Sequence, residues 1–370
     1  MTIQINQQFA NELKKYGAGD FDACFNCGTC SAICSLTNQK ESFPRKFIRQ
    51  GMLGQKDEIL NSKELWLCYA CGECTENCPR QAAPGNYMAA MRRYAIAGYE
   101  PTGLTKLLFK NNFFSIFITL LLAVILGLFL LTIQPSYVVS RWIFRLLPYE
   151  IIHITGLVIF IITGLSILWG VITMWYKLMI NKDKNTKKEN SFFNALSKVA
   201  GELAAMKRYR DCDTEEYSFW QSYKFYTKPW FVHWTIMWGF IGLLMATVLD
   251  FMLKDPATDI WWPARILGSF SGILLVYGTS ISIYYRRNQI TKTYTETRLA
   301  DWMFLIFLWL AGITGFWLEI AVTFHTDFLF NHYVLIFHTI LSMELVLLFA
   351  FSKFAHAIYR PIALFVHFYN

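Results

Sequence analysis

The succession of apolar and polar positions divides the chain into two unlike parts. Up to about residue 110, apolar residues recur at helical spacing among charges: Phe43, Phe47 and Ile48 within 43–51, and Ile59, Leu60 and Leu65 within 56–67. That spacing predicts short amphipathic helices, and a further helix is expected from Ala83 to Ala97. Beyond Phe113 the apolar residues run on instead of alternating. Six segments, at about 113–133, 151–175, 231–252, 266–285, 299–321 and 332–355, are each long enough to cross a hydrocarbon core, which takes roughly 20 apolar residues. Their scattered Thr, Ser, Gly and acidic residues suit faces turned into a bundle. Between the second and third spans, Phe192, Phe193, Leu196, Val199, Leu203 and Met206 predict a helix along the membrane or under the N-terminal part. The expected fold class is mainly α: a soluble domain over 1–110, then a six-span helical membrane domain over 111–370.

Composition sharpens this division. Hydrophobic residues make up 55% of the 370 and charged residues 16%, against roughly 25% charged in an ordinary globular domain. The net charge of +8 is no sign of a nucleic-acid partner, because its Lys and Arg fall where membrane topology needs them. The loop 177–228 carries 11 Lys/Arg, and the turn 286–298 carries Arg286, Arg287, Lys292 and Arg298. The connections at 134–149, 253–265 and 322–331 carry two, two and none. Lys177, Lys182, Lys184, Lys187 and Lys188 lie nearest a span end and weigh most. By the positive-inside rule both termini are expected in the cytoplasm, in an integral protein of the inner (cytoplasmic) membrane. The first 20 residues contain no apolar stretch of the kind that forms a signal peptide.

The cysteines carry the most specific chemistry. Cys24, Cys27, Cys30 and Cys34 repeat the spacing of Cys68, Cys71, Cys74 and Cys78. Each run reads C-x2-C-x2-C-x3-C, and Pro79 completes the second in the manner of two-cluster ferredoxins; Ser35 stands at the matching place in the first. Three close thiolates wrap one cluster from a tight loop, while the fourth leaves on a helix and reaches its neighbour. The expected sets are Cys24, Cys27, Cys30 and Cys78 for one [4Fe–4S] cluster, and Cys68, Cys71, Cys74 and Cys34 for the other. Gly28 and Gly72 occupy equivalent places where the backbone must turn tightly. Two four-cysteine zinc sites are the competing reading, but those pair two short arms across a longer loop. Glu73 and Glu76 are expected to be solvated, and Cys212 to be a free thiol.

Seven histidines supply the membrane part with metal ligands. His338 and His356 stand 18 residues apart, five turns of one continuous helix and roughly 27 Å along its axis. That suits two stacked haems. The expected pairs are His153 with His338 for an outer haem b, and His233 with His356 for an inner one; His325 and His332 compete with His153. Hydrogen bonding between helices is the alternative role. His367 is expected to be solvated, and the absence of Cys-x2-Cys-His excludes covalently attached haem. Ionisable residues within spans are functional candidates. For proton exchange at a quinone site these are Glu344 in mid-span, and Glu319, His325, Asp327, His332 and Asp250 near the outer face.

The paired cysteine runs, followed directly by six spans with the 338/356 histidine spacing, resemble the membrane subunit of quinone-interacting membrane-bound oxidoreductase complexes. The first part is similar to the small iron–sulfur subunit of heterodisulfide reductase, and the bundle to the cytochrome b subunit of respiratory nitrate reductase. That subunit places its four ligands on one early helix and the last, whereas here the early pair is divided between two spans. The resemblance implies two haems b, two [4Fe–4S] clusters and menaquinone as exchangeable substrate. It further implies two soluble heterodisulfide-reductase-like flavin and iron–sulfur partner subunits, with adenylylsulfate reductase as terminal partner. Rival readings are a quinol-linked subunit serving a disulfide-reducing partner, and a haem-free anchor with a ferredoxin head.

Overall fold

The computed structural model describes residues 6, 8–37, 42–132, 142–180, 190–214, 219–253, 263–295 and 297–369. Lys182, Lys184, Lys187 and Lys188, and much of the connections around 134–141 and 254–262, lie outside the described residues. The described residues form helices and turns with no strand among them.

Six helices are long and apolar enough to cross a membrane: Asn112–Thr132, Tyr149–Ile180, Pro229–Leu253, Pro263–Arg287, Leu299–Thr323 and Leu329–Leu348. These are the first to sixth spans. Their packing is inverted relative to a water-soluble bundle. The first span turns Phe113, Leu120 and Leu128 outward, at 70%, 61% and 60% exposure, while it buries Ser115 and Thr119. The second exposes Ile154 and Leu165 and buries Thr155 and Thr163. Apolar residues outside and small polar residues inside call for a hydrocarbon surround. The third and fourth spans approach most closely. A side chain at Gly239 would meet the backbone of Leu275 and Ser271 at 2.7–2.8 Å, and one at Gly278 would collide with Thr235.

The N-terminal part is built of short helices around Pro84–Tyr99, whose Tyr87, Met88, Met91 and Tyr99 are fully buried. Its core does not end at the membrane part. Met174 and Leu178 of the second span, and Tyr359, Ala363 and Val366 of the C-terminal helix His356–Tyr369, belong to the same cluster. Trp66 packs against both Tyr99 and Tyr359. Burial of each such large apolar side chain contributes about 1.5–3 kcal/mol, so the two parts are held as one body.

A buried ion cluster pins the same junction. Asp301, at the start of the fifth span, accepts from Arg93 Nη2 at 2.7 Å and forms an ion pair with Lys353 Nζ at 2.9 Å, with its side chain 4% exposed.

The sixth span ends earlier than its composition suggests. Leu348 is its last residue, and Phe349–Ser352 turn the chain away. Ser352 Oγ then accepts from the Phe354 N–H and starts a short 3-10 turn, Lys353–Ala355, before the C-terminal helix begins at His356. His338 and His356 therefore do not lie on one continuous helix. The helix over 192–206 appears as Phe192–Ala205. After Met206 in the left-handed region comes a second helix, Lys207–Thr214.

Candidate functional site

The two cysteine loops adopt the same conformation, as their repeated sequence requires. Cys24 and Cys68 are extended, with φ/ψ of −71/118 and −70/122. Asn26 and Ala70, two residues on, have positive φ, as do Gly28 and Gly72 at 92° and 94°. Each loop thus curls back, and the N–H groups of Asn26 and Ala70 donate to the sulfurs of Cys24 and Cys68 at 3.3 and 3.4 Å. Such donors favour a thiolate. Thr29–Ala32 and Glu73–Glu76 then form one helical turn each and carry the chain away from the loop.

The sulfurs gather around two cavities. Cys24, Cys27, Cys30 and Cys78 line one, and Cys34, Cys68, Cys71 and Cys74 line the other. These are the crossed sets read from the spacing. Among the described residues no three His, Cys, Asp or Glu groups converge tightly enough for a single metal ion. The sulfurs instead stand around a void, which suits a polynuclear group bound at its corners. Burial pushes the Cys30 thiol up to about 11 and the Cys34 thiol up to about 12. Thiols so placed ionise against a cationic partner, and iron supplies that charge.

The second cavity carries a charge imbalance of its own. Arg92 Nη1 and Arg360 Nη2 each donate to the Cys68 carbonyl at 2.6 Å, and both residues are buried. Arg360 also donates to Trp66 O and lies over the Tyr69 ring at 4.2 Å. Neither guanidinium forms an ion pair with a carboxylate among the described residues. Buried charges require compensation. Four thiolates around an iron–sulfur core would bring net negative charge to this spot.

The surroundings of the cavities differ. The first is lined by its own domain, and Cys27 and Phe25 are exposed, Phe25 at 61%. The second is covered by the membrane part. Arg208 and Cys212 of helix Lys207–Thr214 line it, and Thr293 would collide with any side chain at Gly72. Cys212 is therefore no isolated thiol: its sulfur lies 3.6 Å from Ser35 Oγ, beside the cavity. Its separation of more than 130 residues from Cys78 hid this placement from local spacing. Glu73 is buried, contrary to the expectation of solvation, and Glu76 accepts from Lys292.

Of the two expected histidine pairs, one is assembled. His233 and His356 stand with ring centroids 6.1 Å apart and planes at 85°. A metal–imidazole bond is about 2 Å, so rings this close could share one metal ion. His356 Nδ1 pairs with the Lys353 carbonyl at 2.6 Å, which directs Nε2 away, and His233 Nδ1 is buried with no partner. This donor pair could hold a metal centre between the two rings.

The members of the other pair engage different partners. His153 stacks on Phe251 with centroids 3.5 Å apart. Both His338 nitrogens are occupied, by Thr314 Oγ1 at 2.8 Å and Ser342 Oγ at 3.5 Å. His153 lies four residues inside the second span and His338 nine inside the sixth, and each ring has its own partners.

The remaining candidates separate by their partners. His332 Nε2 pairs with Trp142 O at 2.9 Å and pins the 142–144 turn. Glu319 is bound by Arg265 at 2.6 Å, His325 is exposed, and Asp250 accepts from Tyr149. Glu344 is buried in the sixth span, and its Oε1 has no partner. His367, expected in solvent, is half-buried in the C-terminal helix, and burial lowers its pKa to about 4.

Comparison with known proteins agrees with the cysteine geometry. Residues 20–82 match the 4Fe-4S dicluster domain family. Over 110 residues the chain is 37% identical to a protein of Archaeoglobus profundus named as similar to the C component of heterodisulfide reductase, covering 28% of this chain and 58% of that one. Over 77 residues it is 36% identical to the C component of the H(2):CoB-CoM heterodisulfide,ferredoxin reductase of Methanothermobacter thermautotrophicus, covering 21% and 42%. The chain thus spans about half the length of the curated relatives it matches. No solved structure matches it. Its 4Fe-4S dicluster domain is related to heterodisulfide reductase subunits and is joined to a large helical bundle suited to a membrane.

Proposed function

We propose that this chain is the membrane subunit of a quinone-dependent oxidoreductase, passing electrons between menaquinol and soluble partner subunits. One observation carries the reading: a histidine pair spaced for one iron stands at the end of the bundle that bears the iron–sulfur domain. Cys24, Cys27, Cys30 and Cys78 would hold one [4Fe–4S] cluster, and Cys34, Cys68, Cys71 and Cys74 the other. His233 and His356 would hold a haem b. Two neutral imidazoles bind the iron without adding charge, which suits reversible one-electron transfer.

The bound haem and clusters would supply the redox change, and the protein supplies their setting. Loop N–H groups stabilise thiolates, the arginines at Cys68 offset the negative charge of the cluster, and Lys353 O orients His356. Glu344 is the candidate to exchange the quinol's protons, because it is a buried carboxyl in mid-span with one oxygen unpaired. The iron–sulfur domain faces the cytoplasm in this reading, toward two flavin and iron–sulfur subunits and, beyond them, a reductase of sulfur metabolism such as adenylylsulfate reductase. Because the relatives carry the name heterodisulfide reductase, a disulfide-reducing partner is the second reading. Reduction of a heterodisulfide by co-purifying subunits would select it.

A reduced-minus-oxidised visible spectrum of the purified protein, with iron, acid-labile sulfide and haem counts, tests the proposal. The expected result is a b-type spectrum, eight sulfides, and one iron per haem beyond the eight of the clusters. A single haem is expected from the His233/His356 pair; a second would require His338 to leave Thr314 and find a partner. Absence of haem would refute the proposal and leave the anchor reading.

A further inference from the structure

Between the histidine pair and the second cysteine cavity lies an unbroken run of aromatic rings. Tyr69 follows Cys68 directly. Its ring stacks on Tyr209 with centroids 5.5 Å apart and planes at 20°. Tyr209 in turn meets the His233 ring edge-on at 6.0 Å. Among the described residues no comparable run of rings leads to the first cavity, whose lining comes from its own domain.

The run is fastened at both ends. Tyr69 donates its hydroxyl to Glu202 Oε1 at 2.9 Å, and the same oxygen accepts the Arg208 N–H at 3.1 Å, next to Tyr209. Trp234, the neighbour of His233, donates its indole N–H to Ala204 O at 2.8 Å. The loop between the second and third spans is therefore tied to the iron–sulfur domain on one side and the third span on the other. Tyr209 is 7% exposed between them. This is far more fixation than a solvated loop residue receives.

Resting on the haem and cluster assignments just made, we propose that Tyr209 and Tyr69 form the electron bridge between the His233/His356 site and the Cys34/Cys68/Cys71/Cys74 cluster. This makes that cluster the membrane-side member of the pair and the Cys24/Cys27/Cys30/Cys78 cluster the outlet to soluble partners. One electron would cross at a time, from a ferrous iron held by the histidines to the cluster held by the cysteines. No bond forms or breaks, and no proton moves. The tyrosines need not be oxidised, since packed rings shorten the through-space gaps on which tunnelling depends exponentially. The exposed Cys27 and Phe25 place the other cluster at the surface, where a soluble redox partner reaches it.

The test uses the full-length protein carrying its cofactors. Electron transfer from reduced haem to the clusters is followed by rapid-mixing absorbance and by low-temperature electron paramagnetic resonance. Tyr209→Leu is expected to slow the transfer by an order of magnitude or more, and Tyr209→Phe, which keeps the ring, to leave it near wild type. Haem and sulfide contents, midpoint potentials and the rate of direct cluster reduction by dithionite should stay unchanged. A water-soluble iron chelator is expected to strip the Cys24-set cluster first. The cluster signals are assigned with Cys78→Ser and Cys74→Ser. A wild-type rate in Tyr209→Leu with haem and clusters in place would overturn the proposal, as would first arrival of the electron in the Cys24-set cluster. Absence of haem by direct count would instead remove the His233/His356 assignment, and the bridge with it.

Discussion

The two arginines on the Cys68 carbonyl allow a prediction with a calculable size. Replacing Arg360 by Gln keeps a polar chain of similar reach but removes a buried positive charge next to the second cysteine cavity. Arg360 Nη2 lies 2.6 Å from Cys68 O, which puts the charge roughly 8 Å from the centre of a cluster held by Cys68. At an effective dielectric constant of about 20, a unit charge at that distance is worth ~2 kcal/mol. Reduction adds one negative charge, so the reduced form loses this stabilisation. With about 59 mV per tenfold change in a one-electron equilibrium, the midpoint potential should fall by on the order of 90 mV.

The assay is a redox titration monitored by electron paramagnetic resonance, with the two clusters distinguished by their ligand variants. The Cys24-set cluster is the internal control, since its cavity includes Arg45 and Arg80 but not Arg360. An unchanged potential at the Cys68 cluster, or equal shifts at both, would refute the role assigned to the charge. Should Arg360→Gln fail to assemble that cluster, Arg360→Lys decides the matter. It retains the charge while losing the two-carbonyl fork, so it should restore the four sulfides if charge is what assembly needs.

Three further outcomes follow from the packing. Cys78→Ser should damage the same cluster signal as Cys24→Ser, and Cys34→Ser the same one as Cys74→Ser; damage within each sequence run instead would break the crossed assignment. Asp301→Asn leaves the buried Arg93 and the partly exposed Lys353 without their shared anion. Breaking such a pair costs about 3–5 kcal/mol, so a clear drop in thermal stability of the detergent-solubilised protein is expected, and an unchanged melting curve would contradict the buried network. Cys212→Ser should keep eight labile sulfides while altering the resonance signal of the Cys34/Cys68/Cys71/Cys74 cluster alone. Loss of four sulfides would make Cys212 a ligand.

What the sequence reveals here depends on whether the determinant is local. The cysteine loops were legible because all ligands but one in each set lie within six residues, and the duplication indicates the crossed fourth. The six spans were legible because length and composition suffice in hydrocarbon. The end of the sixth span was not. Phe349, Ala350, Phe351, Phe354 and Ala355 continue the apolar composition, yet the turn at 349–352 and the Ser352 cap stop the helix. Nothing in apolar periodicity marks that stop. The contacts of His153 and His338 were hidden for a related reason: Phe251, Thr314 and Ser342, which engage those rings, come from elsewhere in the chain or from the next turn. Cys212 and Tyr209 were invisible because their partners lie in the first 80 residues.

The unforeseen break at the end of the sixth span also explains how the membrane and soluble parts are joined. A helix continued through residue 356 would carry His356 and Arg360 onward along the axis of the sixth span. The turn instead frees the C-terminal helix to lie against the iron–sulfur domain, with Tyr359 packed on Trp66 and Tyr99. The same turn presents Lys353 O to His356 Nδ1, and Lys353 Nζ to Asp301. His356 and Arg360 are four residues apart and so share one face of that helix. One end of the face meets His233, and the other reaches the Cys68 carbonyl and the Tyr69 ring. A single turn of helix thus fixes the histidine site relative to the second cysteine cavity, next to the loop that carries Tyr209, whose Arg208 lies over the Phe368 ring. Any movement of the iron–sulfur domain away from the bundle must break both at once. The geometry of the electron path is therefore tied to the integrity of the core shared by the two parts.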